Sequence, residues 1–301
     1  MIVITTPTGD IGSQVLRILL EGSHGEELRV IVRDPAKLSD STRDRVDVVT
    51  GSHGDADVVD RAFAGADAVF WLVPPDRQAA NLEIAFSGFT RAAAQAFTAH
   101  GVGHVVGVSA LGRGTSVADR AGLVTASLAV DDLIASTGVA YRALANPSFM
   151  ENTLRQVDSI RDGVFTDTVA ADRKAPSAAT RDIAAAAASL LLDRSWSGTG
   201  SVAVLGPEHI SATDMARIMS EVLDRPVRYA RQSLDDLGAT LTGYGVGAAF
   251  VEGMVEMMRA KDEGLDDGVP RTPKTASPTT FRQWCDEVLK PAVLAGATTG
   301  H

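Results

Sequence analysis

The chain has 301 residues, 28 Lys plus Arg against 38 Asp plus Glu, a formal charge of −10, and 45% hydrophobic residues. This composition excludes a disordered chain, and a single cysteine, Cys285, excludes an internal disulfide and any multi-cysteine zinc site. The acidic balance, with basic residues scattered, speaks against nucleic acid as a partner, and the most apolar stretch, 183–192, is about half of what a membrane span needs.

The chain opens on the strand-like run Ile2–Thr5 with no basic, apolar signal region, so a cytoplasmic location is expected. Up to residue 146, short apolar runs alternate with helical patterns. The runs Ile2–Thr5, Val30–Val32, Val46–Val49, Ala68–Val73 and Val105–Val108 are nearly all β-branched or aromatic, as strands buried on both faces are. The expected fold is α/β, a Rossmann-type doubly wound parallel sheet, with Gly22 and Gly101 ending helices. After Asn146 the rhythm loosens. A strand is expected at 201–206, a helix capped by Ser211 through Leu223, a loop from Gly264 to Pro278 and a last helix from near Thr279. The division expected is a first domain over 1–150 and a smaller α/β substrate lobe over 151–301, with exchange of a strand between them open.

The main chemical signal follows the first strand: the turn Thr6-Pro7-Thr8-Gly9-Asp10-Ile11-Gly12, then a helix to about Glu21. Gly9 lets main chain approach a pyrophosphate, the helix N-terminus offers unpaired N–H groups, and Gly12 permits close helix-on-strand packing. Thr6 stands where such a turn has its first glycine, so the motif is incomplete.

Twenty-one residues beyond Gly12, the second strand ends in Arg33-Asp34-Pro35-Ala36-Lys37, where a dinucleotide fold reads the adenosine ribose. Arg33 and Lys37 suit a 2′-phosphate, which favours NADP(H). Asp34 keeps NAD(H) open, and a plain solvated loop is the alternative to both.

Several stretches together resemble the NmrA-like family of atypical short-chain dehydrogenase/reductases: the TPTGDIG turn, IVRDPAKL, GADAVF, NPSFMEN at 146–152, RDIA at 181–184, VLGPEHIS at 204–211 and PTTFRQW at 278–284. The family includes NAD(P)H:quinone reductases and a fungal dinucleotide-sensing regulator. The resemblance implies a nicotinamide dinucleotide across the carboxyl edge of the sheet and a substrate cleft between that edge and the C-terminal lobe. Carried onto this chain, it places the pyrophosphate on Thr6, Thr8, Gly9, Asp10 and Ile11, and the adenosine 2′ end at Arg33 and Lys37. Leu72, Val73 and Pro74 would flank ribose and adenine, Ser109 and Ala110 the nicotinamide side, and Pro147, Ser148 and Phe149 the ring. Where the family often has a carboxylate after the third strand, this chain reads Gly51-Ser52-His53.

Ordinary short-chain dehydrogenases use Tyr-x-x-x-Lys, the lysine lowering the tyrosine's pKa. No such pair occurs here: the tyrosines are Tyr141, Tyr229 and Tyr244, and the corresponding helix reads Leu123-Val124-Thr125-Ala126-Ser127. A quinone needs little acid assistance, so positioning with a hydroxyl from Ser109, Ser148 or Thr125, or from Tyr244 as a lid donor, is expected to suffice. Phe149, Phe250 and Met254 are candidates to wall a flat, apolar aromatic substrate, although core packing is the stronger reading of the methionines of 250–258. The histidines show no metal-ligand spacing, and no Gly-x-Ser-x-Gly elbow occurs.

The leading expectation is an NAD(P)H-dependent reductase of a quinone or conjugated carbonyl, for instance a fused-ring aromatic polyketide in secondary metabolism. The alternatives are a non-catalytic redox sensor that binds the dinucleotide, and an isomerase or oxygenation helper using bound nicotinamide. A homodimer is open to all three.

Overall fold

The computed structural model describes residues 1–22 and 24–295. In chain order these form β1 (Ile2–Thr5), α1 (Gly12–Glu21), β2 (Leu28–Val32), α2 (Asp40–Arg43), β3 (Asp47–Thr50), α3 (Ala56–Phe63), β4 (Ala68–Trp71), α4 (Phe89–Ala99), β5 (His104–Ala110), α5 (Leu123–Ala135) and β6 (Ala140–Asn146). There follow β7 (Ser148–Phe149), α6 (Val157–Arg161), β8 (Val164–Asp167), β9 (Ala175–Ala178), α7 (Thr180–Leu192), β10 (Thr199–Ala203), β11 (His209–Ile210), α8 (Ala212–Leu223), β12 (Arg228–Arg231), α9 (Leu234–Gly243), α10 (Ala248–Asp262), α11 (Phe281–Trp284) and α12 (Lys290–Ala295).

The chain divides into two compact units, and it passes between them at residues 110, 125, 145, 182 and 202 rather than once near residue 150. The segment Ile183–Val202 lies with the first unit because β10 forms the edge of the main sheet beside β6.

The first unit is built on that seven-stranded sheet, ordered β10-β6-β5-β4-β1-β2-β3. The pairs β1–β2, β2–β3, β1–β4 and β4–β5 are parallel, as the uninterrupted apolar runs require. Every residue of β1 and β4 is buried. Val15, Leu16 and Leu19 give α1 one buried face, and Val58, Val59, Ala62 and Phe63 do so for α3. Phe63 stacks on Phe97 at 5.1 Å between ring centroids, filling the layer beside the sheet.

Two expected strands are shorter than the sequence suggests. β4 ends at Trp71 rather than Val73, because the Leu72 N–H leaves the ladder for the Thr5 hydroxyl. β10 ends at Ala203 rather than Gly206, and the Leu205 N–H turns to the Thr275 carbonyl.

The second unit carries the three-stranded sheet β11-β9-β7 and the parallel pair β12–β8. Its core gathers Phe165, Met219, Phe281, Trp284 and Leu289, together with Cys285, whose thiol burial holds well above its usual pKa. As expected, α8 begins after Ser211, whose hydroxyl accepts from the Asp214 N–H while Asp214 reaches back to the Ser211 N–H.

Candidate functional site

Parallel pairing brings the carboxyl ends of β1, β2, β4 and β5 to one edge of the sheet. From β1 the chain winds through β2 to β3 on one side, and from β4 to β5 on the other, so its direction reverses between β1 and β4. Such a reversal opens a crevice in which doubly wound folds bind ligands. Here Thr5 holds the parting strands together: its hydroxyl donates to the Phe70 carbonyl at 3.0 Å and accepts from the Leu72 N–H at 3.1 Å.

The turn after β1 is tightly determined. Thr6 has φ +51°, the left-handed region that costs a residue with a Cβ about 1–2 kcal/mol. Its carbonyl accepts from the Gly9 N–H at 3.0 Å. A Cβ on Gly12 would sit 2.2 Å from that carbonyl oxygen, so the protein's own backbone requires this glycine. Gly9 differs: a Cβ there would meet nothing closer than 3.5 Å. Its bare Cα is therefore not demanded by packing, and it faces half-open space between the exposed Thr8 and Asp10. The Thr6 Oγ1 is buried with no hydrogen-bond partner among the described residues, an orphan that costs about 1–3 kcal/mol. Ile11 precedes α1 without a side-chain cap; the Ser13 N–H turns back to the Gly9 carbonyl and the Gln14 N–H to the Ile11 carbonyl, so of the first turn's N–H groups only that of Gly12 has no acceptor among the described residues.

Beyond β2, the Arg33 and Lys37 side chains are exposed, with no hydrogen bond or ion pair to any described residue. Asp34 supports the local turn, its Oδ1 accepting from the Ala36 N–H at 3.0 Å. Beyond β3, His53 is buried, its Nε2 set 2.9 Å from the Leu72 carbonyl, and the Trp71 and Phe89 rings meet it edge-on. Leu72 thus gathers two contacts at the crevice, from Thr5 and from His53, while Val73 and Pro74 continue from it outside any strand.

The four hydroxyls expected as donors fare differently. Ser109, buried near the end of β5 beside Ala110, gives its proton to Asp131 Oδ2 at 2.5 Å, and Asp131 Oδ1 accepts from the Tyr141 hydroxyl at 2.6 Å. In this arrangement Ser109 does not donate toward a ligand. Thr125 is also committed, donating to the Ala118 carbonyl at 2.6 Å and accepting from the Ala121 N–H at 3.0 Å, which makes it a loop tie rather than a donor. In the second unit, Ser148 is exposed on β7 and its hydroxyl has no partner among the described residues, whereas Pro147 is buried and Phe149 half-buried. Tyr244 closes α9 and is 82% exposed. Phe250 is buried in the first turn of α10, with Met254 half-buried one turn on.

A family profile described as NAD(P)H-binding matches residues 7–194. The chain belongs to the NAD(P)H-binding family. Over 236 residues, 78% of each chain, it is 31% identical to a (4-alkanoyl-5-oxo-2,5-dihydrofuran-3-yl)methyl phosphate reductase of Streptomyces griseus. It is 25% identical to the NADPH-dependent quinone oxidoreductase QOR2 of Escherichia coli, solved with NADPH, at a TM-score of 0.75 covering 99% of this chain and all of that one. The negative transcriptional regulator NmrA, solved with NAD, has the same fold at 15% identity and a TM-score of 0.72, covering 98% of this chain and 97% of that one. These matches agree with the NmrA-like resemblance read from the motifs.

The residues of this NAD(P)H-binding chain fit such a cofactor in kind: an orphaned threonine hydroxyl and an open glycine where a pyrophosphate approaches, and two unpaired cations where the ribose is read. The sequence reading missed Asp131 and Tyr141. The available signal was an aspartate on the buried face of the otherwise apolar α5, LVTASLAVDDLIA.

Proposed function

We propose that this chain is an NADPH-dependent reductase of conjugated carbonyl compounds, quinones and unsaturated lactones, and that fused-ring aromatic polyketides belong to its substrate class. The observation that carries the reading is the set of unpaired groups along the carboxyl edge, from the Thr6–Gly12 turn to Arg33 and Lys37. In this proposal Thr8, Asp10 and Ile11 offer main-chain N–H groups to the pyrophosphate beside the bare Cα of Gly9, with the Thr6 hydroxyl behind them. Arg33 and Lys37 pair with the 2′-phosphate through charge-assisted hydrogen bonds, while Asp34 gives one carboxylate oxygen to the Ala36 N–H. Leu72, Val73 and Pro74 flank the adenosine, and Ser109, Ala110, Pro147, Ser148 and Phe149 serve the nicotinamide. When bound, the nicotinamide supplies a hydride.

The two reductases similar to this chain support the substrate class. One is named for a quinone, the other for an acyl-substituted dihydrofuranone, and both compounds spread the charge gained with a hydride onto carbonyl oxygen. Such an acceptor needs orientation and a weak donor rather than a lysine-activated tyrosine, and α5 carries neither tyrosine nor lysine. Ser148, the unpartnered hydroxyl, fills that role better than Ser109 or Thr125. Phe250 and Met254 suit a flat apolar body.

The test is absorbance decay at the nicotinamide band when simple quinones, fused-ring quinones and acyl butenolides are added to protein and NADPH. Substrate-dependent decay is expected. Tight NADPH binding with no decay on any of them would overturn the reductase reading in favour of a dinucleotide sensor.

A further inference from the structure

Among the groups on the carboxyl edge, His53 has no role in the cofactor reading so far. It follows β3, bonded to the Leu72 carbonyl that the cofactor reading sets beside the adenosine, and it is 6% exposed. Its Nε2 lies 2.9 Å from the Leu72 carbonyl, which can only accept, so Nε2 carries the proton. Nδ1 then bears a lone pair, and it has no hydrogen-bond partner among the described residues. Neither is it among the partnerless side-chain atoms closed off from solvent. Trp71 and Phe89 flank the ring edge-on at 5.1 and 4.8 Å between centroids.

We infer that His53 reads the adenine base: its Nδ1 accepts a hydrogen bond from the 6-amino group and thereby selects adenine over a 6-oxo purine. The inference rests on the cofactor reading above, and adds to it a contact that no glycine or cation supplies. The chemistry is asymmetric. A 6-amino group offers a donor to the lone pair, whereas a 6-oxo group sets a second acceptor against it, and a site built around a hydrogen bond rejects a ligand that cannot make it. Burial and the nearby Arg33 guanidinium hold the imidazole pKa at about 4, so the ring stays an acceptor throughout the neutral range.

The experiment measures dissociation constants by nicotinamide fluorescence for NADPH and for its deaminated analogue, nicotinamide hypoxanthine dinucleotide phosphate, on the full chain. The wild type should bind NADPH at least about tenfold more tightly than the analogue. In His53→Phe, which keeps a flat ring between Trp71 and Phe89, that ratio should fall to near one, with folding checked by circular dichroism. In His53→Asn, whose amide oxygen takes the place of Nδ1, most of the discrimination should return. Equal wild-type affinities for both dinucleotides, or a ratio unchanged in His53→Phe, would overturn the inference while leaving NADPH binding intact. If neither dinucleotide binds, the cofactor reading fails first and the inference with it.

Discussion

The two ends of the crevice edge are made from similar residue types and treat them in opposite ways. On the β1–β3 side, polar groups have no hydrogen-bond or ion-pair partner among the described residues: the Thr6 hydroxyl, the Arg33 and Lys37 cations and the His53 lone pair. At the end of β5, the Ser109 hydroxyl is closed into a buried network with Asp131 and Tyr141, and on the loop before α5 Thr125 is tied to Ala118 and Ala121. The Thr6 hydroxyl is buried and costly to leave unpaired, whereas Arg33 and Lys37 are exposed and keep their charge available to a ligand at no such cost. A saturated hydroxyl stabilises the fold and has little left for chemistry. Residue type alone therefore does not locate a site; what decides is whether the side chain's hydrogen-bonding capacity is already used.

Substitutions on each side sharpen this contrast. The largest effect is expected at Gly12→Val, where a Cβ meets the Thr6 carbonyl oxygen at 2.2 Å. It should cost at least about 3 kcal/mol in denaturant unfolding and abolish NADPH binding; an unchanged midpoint would show that the turn can open. His53 comes next. Its folded pKa of about 4 lies below the unfolded value of 6.5, so the unfolded chain takes up a proton first as pH falls. Stability should drop by about 3 kcal/mol between pH 6.5 and 4 and show no further contribution from this group below that window. His53→Phe should lack this slope, and an identical pH profile in the variant would contradict the assignment.

In the saturated network, Tyr141→Phe leaves Asp131 Oδ1 without that donor and should destabilise by about 1–3 kcal/mol, read from chemical denaturation. A loss of under about 0.5 kcal/mol would mean that the network is not structural. The smallest effect belongs to Tyr244→Phe. With 82% of the residue exposed, neither stability nor turnover should change measurably, and a large fall in turnover would restore the lid-donor role expected from the sequence.

Much of this could be read before any coordinates. Strand periodicity, the TPTGDIG turn and the Ser211 cap depend on local chemistry, which a sequence displays directly. Arg33 and Lys37 were legible because their meaning comes from a fixed distance beyond the glycine turn. The hydroxyls were not: whether Ser109 or Thr125 is free depends on Asp131, 22 residues away, and on the Ala118 carbonyl, partners that only the folded helix and loop bring within reach. The early ends of β4 and β10 were hidden for the same reason, since Leu72 and Leu205 bond to residues distant in sequence. His53 stood in plain view after β3, yet its tautomer and its free nitrogen follow from one carbonyl on β4's continuation.

The most direct test of the central claim, that unpaired groups on the β1–β3 side hold a phosphorylated dinucleotide, is the ratio of NADH to NADPH dissociation constants in the wild type and in Arg33→Glu. The exposed Arg33 has no hydrogen bond or ion pair with any described residue, so the variant should fold as the wild type does. A wild-type preference for NADPH of about 10- to 100-fold, falling to unity or inverting in Arg33→Glu, is the predicted result. Equal wild-type affinities, or a preference untouched by the substitution, would contradict it.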